Sequence, residues 1–150
     1  MMIQGNSQDR ITPDLGSVAV QTESCETQPR VLLAEDDNAL RRYLEITLER
    51  AGYKVIAAAD GLEAMKLVLS TPVDIVITDA MMPNLNGHEL CRFLRNNPQF
   101  SDIPVVLLSA LERKTGSREE AQADAFLSKP VSAEVLINCL AGLLRANGKS

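Results

Sequence analysis

From Val31 onward the apolar residues fall into two alternating textures: short, nearly unbroken runs, and longer stretches in which they recur every three or four positions. The run "VLLA" from Val31 predicts a strand, and "NALRRYLEITLERAG" after it predicts a helix. Leu40, Tyr43, Leu44, Leu48 and Ala51 share one face of that helix, and Gly52 stands where it should end. "KVIAAA" is a second strand and "DGLEAMKLVLS" a second helix, opened by Asp60 with Glu63 in capping-box spacing. "VDIVITD" and "GHELCRFLRNN" give the third strand and helix. "IPVVLLSA" is the fourth strand, followed by "LERKTGSREEAQA", a short polar helix. "AFLS" is the fifth strand, and "SAEVLINCLAGLLRANG" a last amphipathic helix with Val135, Leu136, Cys139, Leu140, Leu143 and Leu144 turned inward.

Strands alternating with helices imply a parallel sheet covered on both faces, and strands that are apolar throughout agree with burial on both sides. The expected fold class is α/β, a doubly wound sandwich with five parallel strands. No repeat at a fixed period appears beyond the alternation.

Residues 1–29 are rich in Gln, Ser, Thr and Asp and lack sustained periodicity, which predicts a mobile tail, with at most a short strand at Val18 to Val20. The chain of 150 residues is one domain in length, and 45% apolar residues are enough for a core without staples. Aromatic residues make up 3% and the net charge is -5, a poor basis for stacking bases or gripping phosphate backbones, so no direct nucleic-acid binding is expected. Cys25, Cys91 and Cys139 have neither zinc-site nor redox-motif spacing and read as reduced thiols. No leader-like start or membrane-length apolar run occurs, so a cytoplasmic protein without a membrane span is expected.

In doubly wound sheets, function gathers at the carboxyl ends of the strands, where the winding reverses. The first strand ends in Glu35, Asp36 and Asp37, the third at Asp79, the fourth at Ser109, and the fifth in Ser128, Lys129 and Pro130. Each alone has a plain reading: a strand-end Asp forms turns, and "EDD" starts a helix. With strand order 2-1-3-4-5 the carboxylates of strands one and three would meet, and carboxylates so close repel unless a cation neutralises them. A hard divalent ion such as Mg²⁺ suits oxygen ligands. A hydroxyl and an ammonium beside it would suit an incoming phosphoryl group.

"VLLAEDDNALRRYL", "DIVITDAMMPNLNG", "IPVVLLSA" and "ADAFLSKP", in this order and spacing, resemble the receiver domain of two-component response regulators, a flavodoxin-like fold. The resemblance spans about Arg30 to Asn147. It implies that Asp79 accepts a phosphoryl group from a phosphohistidine on a sensor histidine kinase or histidine phosphotransfer protein. It further implies that Asp36, Asp79 and the Met81 backbone carbonyl ligate Mg²⁺, with Glu35 acting through water. Ser109 matches the switch hydroxyl, Phe126 the switch aromatic, and Lys129 the phosphoryl-pairing lysine. The Lys129-Pro130 bond would be cis, as X-Pro bonds allow. Asp37 is left as the helix N-cap.

The expected organisation is a tail at 1–29, a receiver at 30–147 and an end at 148–150, acting as a stand-alone switch rather than as an enzyme that turns over a separate substrate. Output would pass to a protein partner through the face of the fourth helix, fifth strand and fifth helix, and phosphorylation would support a homodimer. One rival is a degenerate receiver that binds a partner without phosphorylation. Another is an aspartyl phosphohydrolase, against which Met81 stands where many such enzymes have a second Asp. The family's usual Ala-Gly-Ala appears as Ala121, Gln122 and Ala123, and the segment from Ser109 to Lys129 is about two residues short, so the fourth helix is expected to be shortened or irregular. His88, the one histidine, reads as solvated. Met81 and Met82 read as loop packing, with Met81 and Leu111 flanking the path of an attacking water so that self-dephosphorylation is slow. Arg41 and Arg42, or Arg92 and Arg95, are candidate partner patches.

Overall fold

In a computed structural model of the chain, residues 28–110 and 123–148 are described. The five strands are β1 (Arg30–Ala34), β2 (Lys54–Ala58), β3 (Ile75–Asp79), β4 (Val105–Ser109) and β5 (Ala125–Ser128). Between and after them run α1 (Asn38–Arg50), α2 (Gly61–Ser70), α3 (Gly87–Arg95) and α4 (Ala133–Ala146). All pairings are parallel, and the order across the sheet is β2-β1-β3-β4-β5. The anticipated tail with Val18 to Val20, Cys25, Leu111 and the polar helix before Ala123 lie outside the described residues, apart from positions 28 and 29 of the tail.

Alternation along β1 decides the layers. Val31 and Leu33 point to one core with Ile75, Ile77, Val106 and Leu108, under Leu44 and Leu48 of α1 and Leu136, Leu140 and Leu144 of α4. Leu32 and Ala34 point the other way, joining Val76 and Val105 under Ala64 and Val68 of α2 and Leu90, Cys91 and Leu94 of α3. Helices on both faces bury the central strands apart from Arg30 and Ser109 at their ends, which is why those strands carry no polar stripe.

The helix starts follow from side-chain caps that satisfy otherwise orphaned amides. Asp37 accepts from the Ala39 and Leu40 amides, Asp60 from Glu63, and Ser132 from Val135. The capping box anticipated at Asp60 is half formed, because the Glu63 carboxylate takes the Ala59 amide instead of that of the cap residue. A complete box occurs at Asn86 and Glu89, at the start of α3. Gly52, at φ 101°, follows α1 in the left-handed region that ends helices.

Three inward assignments are corrected. Val135 is 50% exposed and Tyr43 48%, and Ala51 is exposed as the C-cap of α1. Leu136, Leu140 and Leu144 already fill the sheet-facing stripe of α4, which leaves Val135 on its flank.

Candidate functional site

Strand register builds the site. Ala34 pairs with Thr78, so the residues that follow them, Glu35 and Asp79, emerge side by side at the carboxyl edge of the sheet. On the other flank Ser109 pairs with Ser128, and the Lys129 amide donates to the Ser109 carbonyl at 2.9 Å. Lys129 is thereby aimed back across β4. Its Nζ lies 2.8 Å from Asp79 Oδ2 and 3.1 Å from Glu35 Oε1. The second contact is ionic without the angles of a hydrogen bond, since Glu35 Oε1 is buried and makes none. The other oxygen of Glu35 accepts from the Asp37 amide at 3.1 Å.

Glu35 is fully buried and Asp79 is 6% exposed, whereas Asp36 stands in solvent. Burial pushes the Glu35 carboxyl above its ordinary value, and the nearby Asp79 charge adds to this against the Asp37 amide and Lys129. Burial alone would lower Lys129, but its hydrogen bond to Asp79 and its ion pair with Glu35 outweigh that and hold the ammonium above its usual value. A buried carboxylate pair with one shared ammonium remains short of positive charge.

Oxygens of Glu35, Asp36 and Asp79 lie within 4.8 Å of one another. An all-oxygen donor set of this size suits a hard divalent cation such as Mg²⁺, and the Glu35 oxygen without a hydrogen bond could take one from a water on the ion. Asp36, Asp79 and Glu35 could thus hold Mg²⁺.

That loop is bound tightly. The Met81 amide donates to Asp79 Oδ1 at 3.2 Å, and the Gly87 amide to the Ala80 carbonyl at 3.1 Å. A Cβ at Gly87 would come within 2.3 Å of the Asp79 carbonyl oxygen, so α3 approaches the sheet as closely as a glycine permits. The Met81 side chain is 59% exposed, while Met82 packs on the core beneath α2 and α3. Of the two methionines only Met82 is loop packing. The Lys129-Pro130 bond is cis.

Ser109 and Phe126 are half-buried on β4 and β5. The Phe126 ring faces His88, with centroids 6.4 Å apart. His88 is therefore half-buried at the start of α3 rather than fully solvated, and its Nδ1 is buried without a hydrogen-bond partner. Sequence reasoning missed this pairing because α3 and β5 are brought together only by the order of the sheet.

Two arginines weighed as partner patches are committed within the fold. Arg41 donates to the Glu35 carbonyl at 2.7 Å, behind the acidic cluster. Arg95 donates to the Ser101 and Ile103 carbonyls and to Asp124, which itself accepts from the Val105 amide at 2.8 Å. A hollow of about 510 Å³ between α2 and Phe100, lined in part by Val68, Pro72, Asp74 and Ile103, lies at the opposite edge of the sheet and shares no residue with the acidic cluster.

Residues 31–141 match the family model described as Response regulator receiver domain. The chain is 34% identical over 119 residues to the DNA-binding dual master transcriptional regulator RpaA of Synechocystis, covering 78% of this chain and 49% of that protein. It spans about half the length of the first curated relatives it matches. Among solved structures, the Francisella response regulator 1452 receiver domain is 33% identical with a TM-score of 0.73, covering 80% of this chain and 99% of that one. The response regulator TrrA of Thermotoga maritima, in complex with Mg²⁺ and BeF, is 28% identical with a TM-score of 0.72, covering 78% and 100%. Among the described residues no helix is long and apolar enough to cross a membrane.

Proposed function

The chain belongs to the response regulator receiver family of two-component systems, a family of signalling modules, and on that basis we propose that it carries a phosphoryl group on Asp79. The observation that carries this reading is Lys129 Nζ held 2.8 Å from Asp79 Oδ2 beside the buried Glu35. In the proposed transfer an Asp79 oxygen attacks the phosphorus of a phosphohistidine on a sensor histidine kinase or histidine phosphotransfer protein. The O–P bond forms as the N–P bond breaks, and the imidazole nitrogen of the donor takes up a proton. Lys129 turns from the carboxylate to the phosphoryl oxygens, and Ser109 donates its hydroxyl to another of them. Bound Mg²⁺ would supply charge neutralisation for the phosphoryl oxygens, held by Asp36, Asp79 and the Met81 carbonyl, with Glu35 acting through water. Phe126 then moves into the space that Ser109 leaves, a local charge event that biases a two-state surface.

The same reading takes 1–29 as a tail, 30–147 as the receiver and 148–150 as its end, in the cytoplasm with the kinase. Output passes to a protein partner through the face of the segment after Ser109, β5 and α4, with a homodimer on phosphorylation. The DNA-binding description belongs to RpaA, of which this chain matches about half; the partner proposed for the receiver face itself is a protein.

The test is intact mass after incubation with acetyl phosphate, with and without Mg²⁺, on the wild type and Asp79→Asn. A Mg²⁺-dependent gain of one phosphoryl group, lost in the variant, supports the reading. Labelling that persists in Asp79→Asn would place the acceptor elsewhere. Kinase-independent partner binding without any labelling, even by a kinase, would favour a phosphorylation-independent binding module.

A further inference from the structure

The β3–α3 loop supplies the carbonyl of Met81 in the proposed site, and the loop contains a backbone conformation that needs an external hold. The Leu85 amide donates to the Pro83 carbonyl at 2.8 Å across Asn84, whose φ is 71°. A three-residue turn about a positive φ is rare and strained for a residue other than glycine. Asn84 is solvent-exposed, so packing does not impose the turn.

Two contacts from the start of α2 do hold it. Asn84 Nδ2 donates to Asp60 Oδ2 at 3.2 Å. One position on, the Leu85 carbonyl presses against Gly61 so closely that a Cβ there would lie 1.8 Å from its oxygen. Asp60 therefore uses its two oxygens for different purposes. Oδ1 caps α2 by accepting from the Glu63 amide at 2.8 Å, a task for which a serine hydroxyl suffices. Oδ2 reaches out of the helix to the loop.

We propose that Asp60 and Asn84 are positioning residues for the divalent-cation site, fixing through their mutual hydrogen bond the loop that presents the Met81 carbonyl beside Asp79. The start of α2 is then part of what sets Mg²⁺ affinity, although none of its residues touches the carboxylate cluster. This inference rests on the proposed function, since it needs the cation to bind. Outer partners of metal ligands are known to set affinity by holding the ligand in place.

The experiment is a Mg²⁺ titration of the full chain by NMR, following the Met81 and Asp79 amides, on wild type, Asp60→Ser, Asn84→Gly and the double variant. Serine keeps the helix cap but cannot reach Asn84, and glycine keeps the positive φ but removes the donor. Each single variant is expected to bind Mg²⁺ about tenfold more weakly, the double variant no more weakly than the worse single one, with the amide spectrum of α2 retained. Wild-type affinity in both single variants would overturn the brace while leaving the site intact. Losses that multiply in the double variant would also overturn it, since they would assign the two residues separate effects. A wild type that binds no Mg²⁺ would instead remove the proposed site itself, and the brace with it.

Discussion

Lys129 and Asp79, fifty residues apart in the chain, meet at 2.8 Å because β5 and β3 flank the same strand. The ammonium is the one cation in contact with both Asp79 and the fully buried Glu35 among the ion pairs of the described residues. Substituting it leaves two carboxylates facing each other in a poorly solvated pocket. Lys129→Ala is expected to cost about 3 kcal/mol, as removal of one member of a buried charge cluster does. Added Mg²⁺ should recover part of that loss. Urea denaturation with and without the ion reads both effects, and an unchanged midpoint in the absence of Mg²⁺ would contradict the account.

Gly87 leaves no room for a side chain. A methyl group there meets the Asp79 carbonyl oxygen at 2.3 Å and Leu107 Cδ2 at 2.8 Å, and neither backbone nor core can withdraw cheaply. Gly87→Ala should destabilise the fold by about 2 kcal/mol or more and shift the Asp79 amide resonance. The matching substitution at the half-buried Gly142, where a Cβ meets nothing within 4 Å of the rest of the fold, should be neutral or slightly stabilising. Thermal melts of the two variants separate the cases.

Burial pushes the Cys91 thiol from 9.0 up to about 11, on the core face of α3. An acid whose folded value is raised contributes stability that is complete below its unfolded value and is lost as the pH rises through the folded one. The wild type should therefore lose stability relative to Cys91→Ala between pH 9.0 and about 11. At neutral pH the thiol should resist alkylation until the protein unfolds. Denaturation midpoints against pH, and mass spectrometry after iodoacetamide, measure the two.

Arg95 gathers the Ser101 and Ile103 carbonyls and the Asp124 carboxylate at the amino edge of β4 and β5. Replacing it leaves those acceptors without a charged donor, and Asp124 then keeps its bond from the Val105 amide on β4. Arg95→Ala should cost about 2 kcal/mol. The amide exchange of β5 should accelerate more than that of β1, and equal acceleration across the sheet would argue against a local clasp.

The alternation of strand and helix and the place of Glu35, Asp36, Asp79, Ser109 and Lys129 at or just beyond strand ends were legible because strands buried on both faces are unbroken apolar runs, and polar residues can only follow them. The order of the sheet came with the resemblance to the receiver family. Helix faces were less legible. Tyr43 and Val135 are apolar and correctly spaced, yet a helix lying on a sheet buries a narrow stripe, already filled by Leu44 and Leu48 or by Leu136 and Leu140. Contacts between elements distant in sequence had no local signal at all. His88 against Phe126 and Arg95 against Asp124 depend on which helix lies over which strand, and a histidine or arginine at a helix end has the same local spacing whether solvated or packed.

β5 is the short outermost strand on its side of the sheet, paired only to β4, and its residues are half-buried or exposed where those of β3 are buried throughout. Opening it breaks one ladder and exposes no fully buried residue of its own, so it belongs to the more easily opened end of the stability range. Glu35 and Asp79 are carried by the two strands with most to lose, and Lys129 follows directly on the one with least. In local fluctuations the cation is therefore expected to depart before the carboxylates. The pocket breathes by changing its charge before it changes its shape.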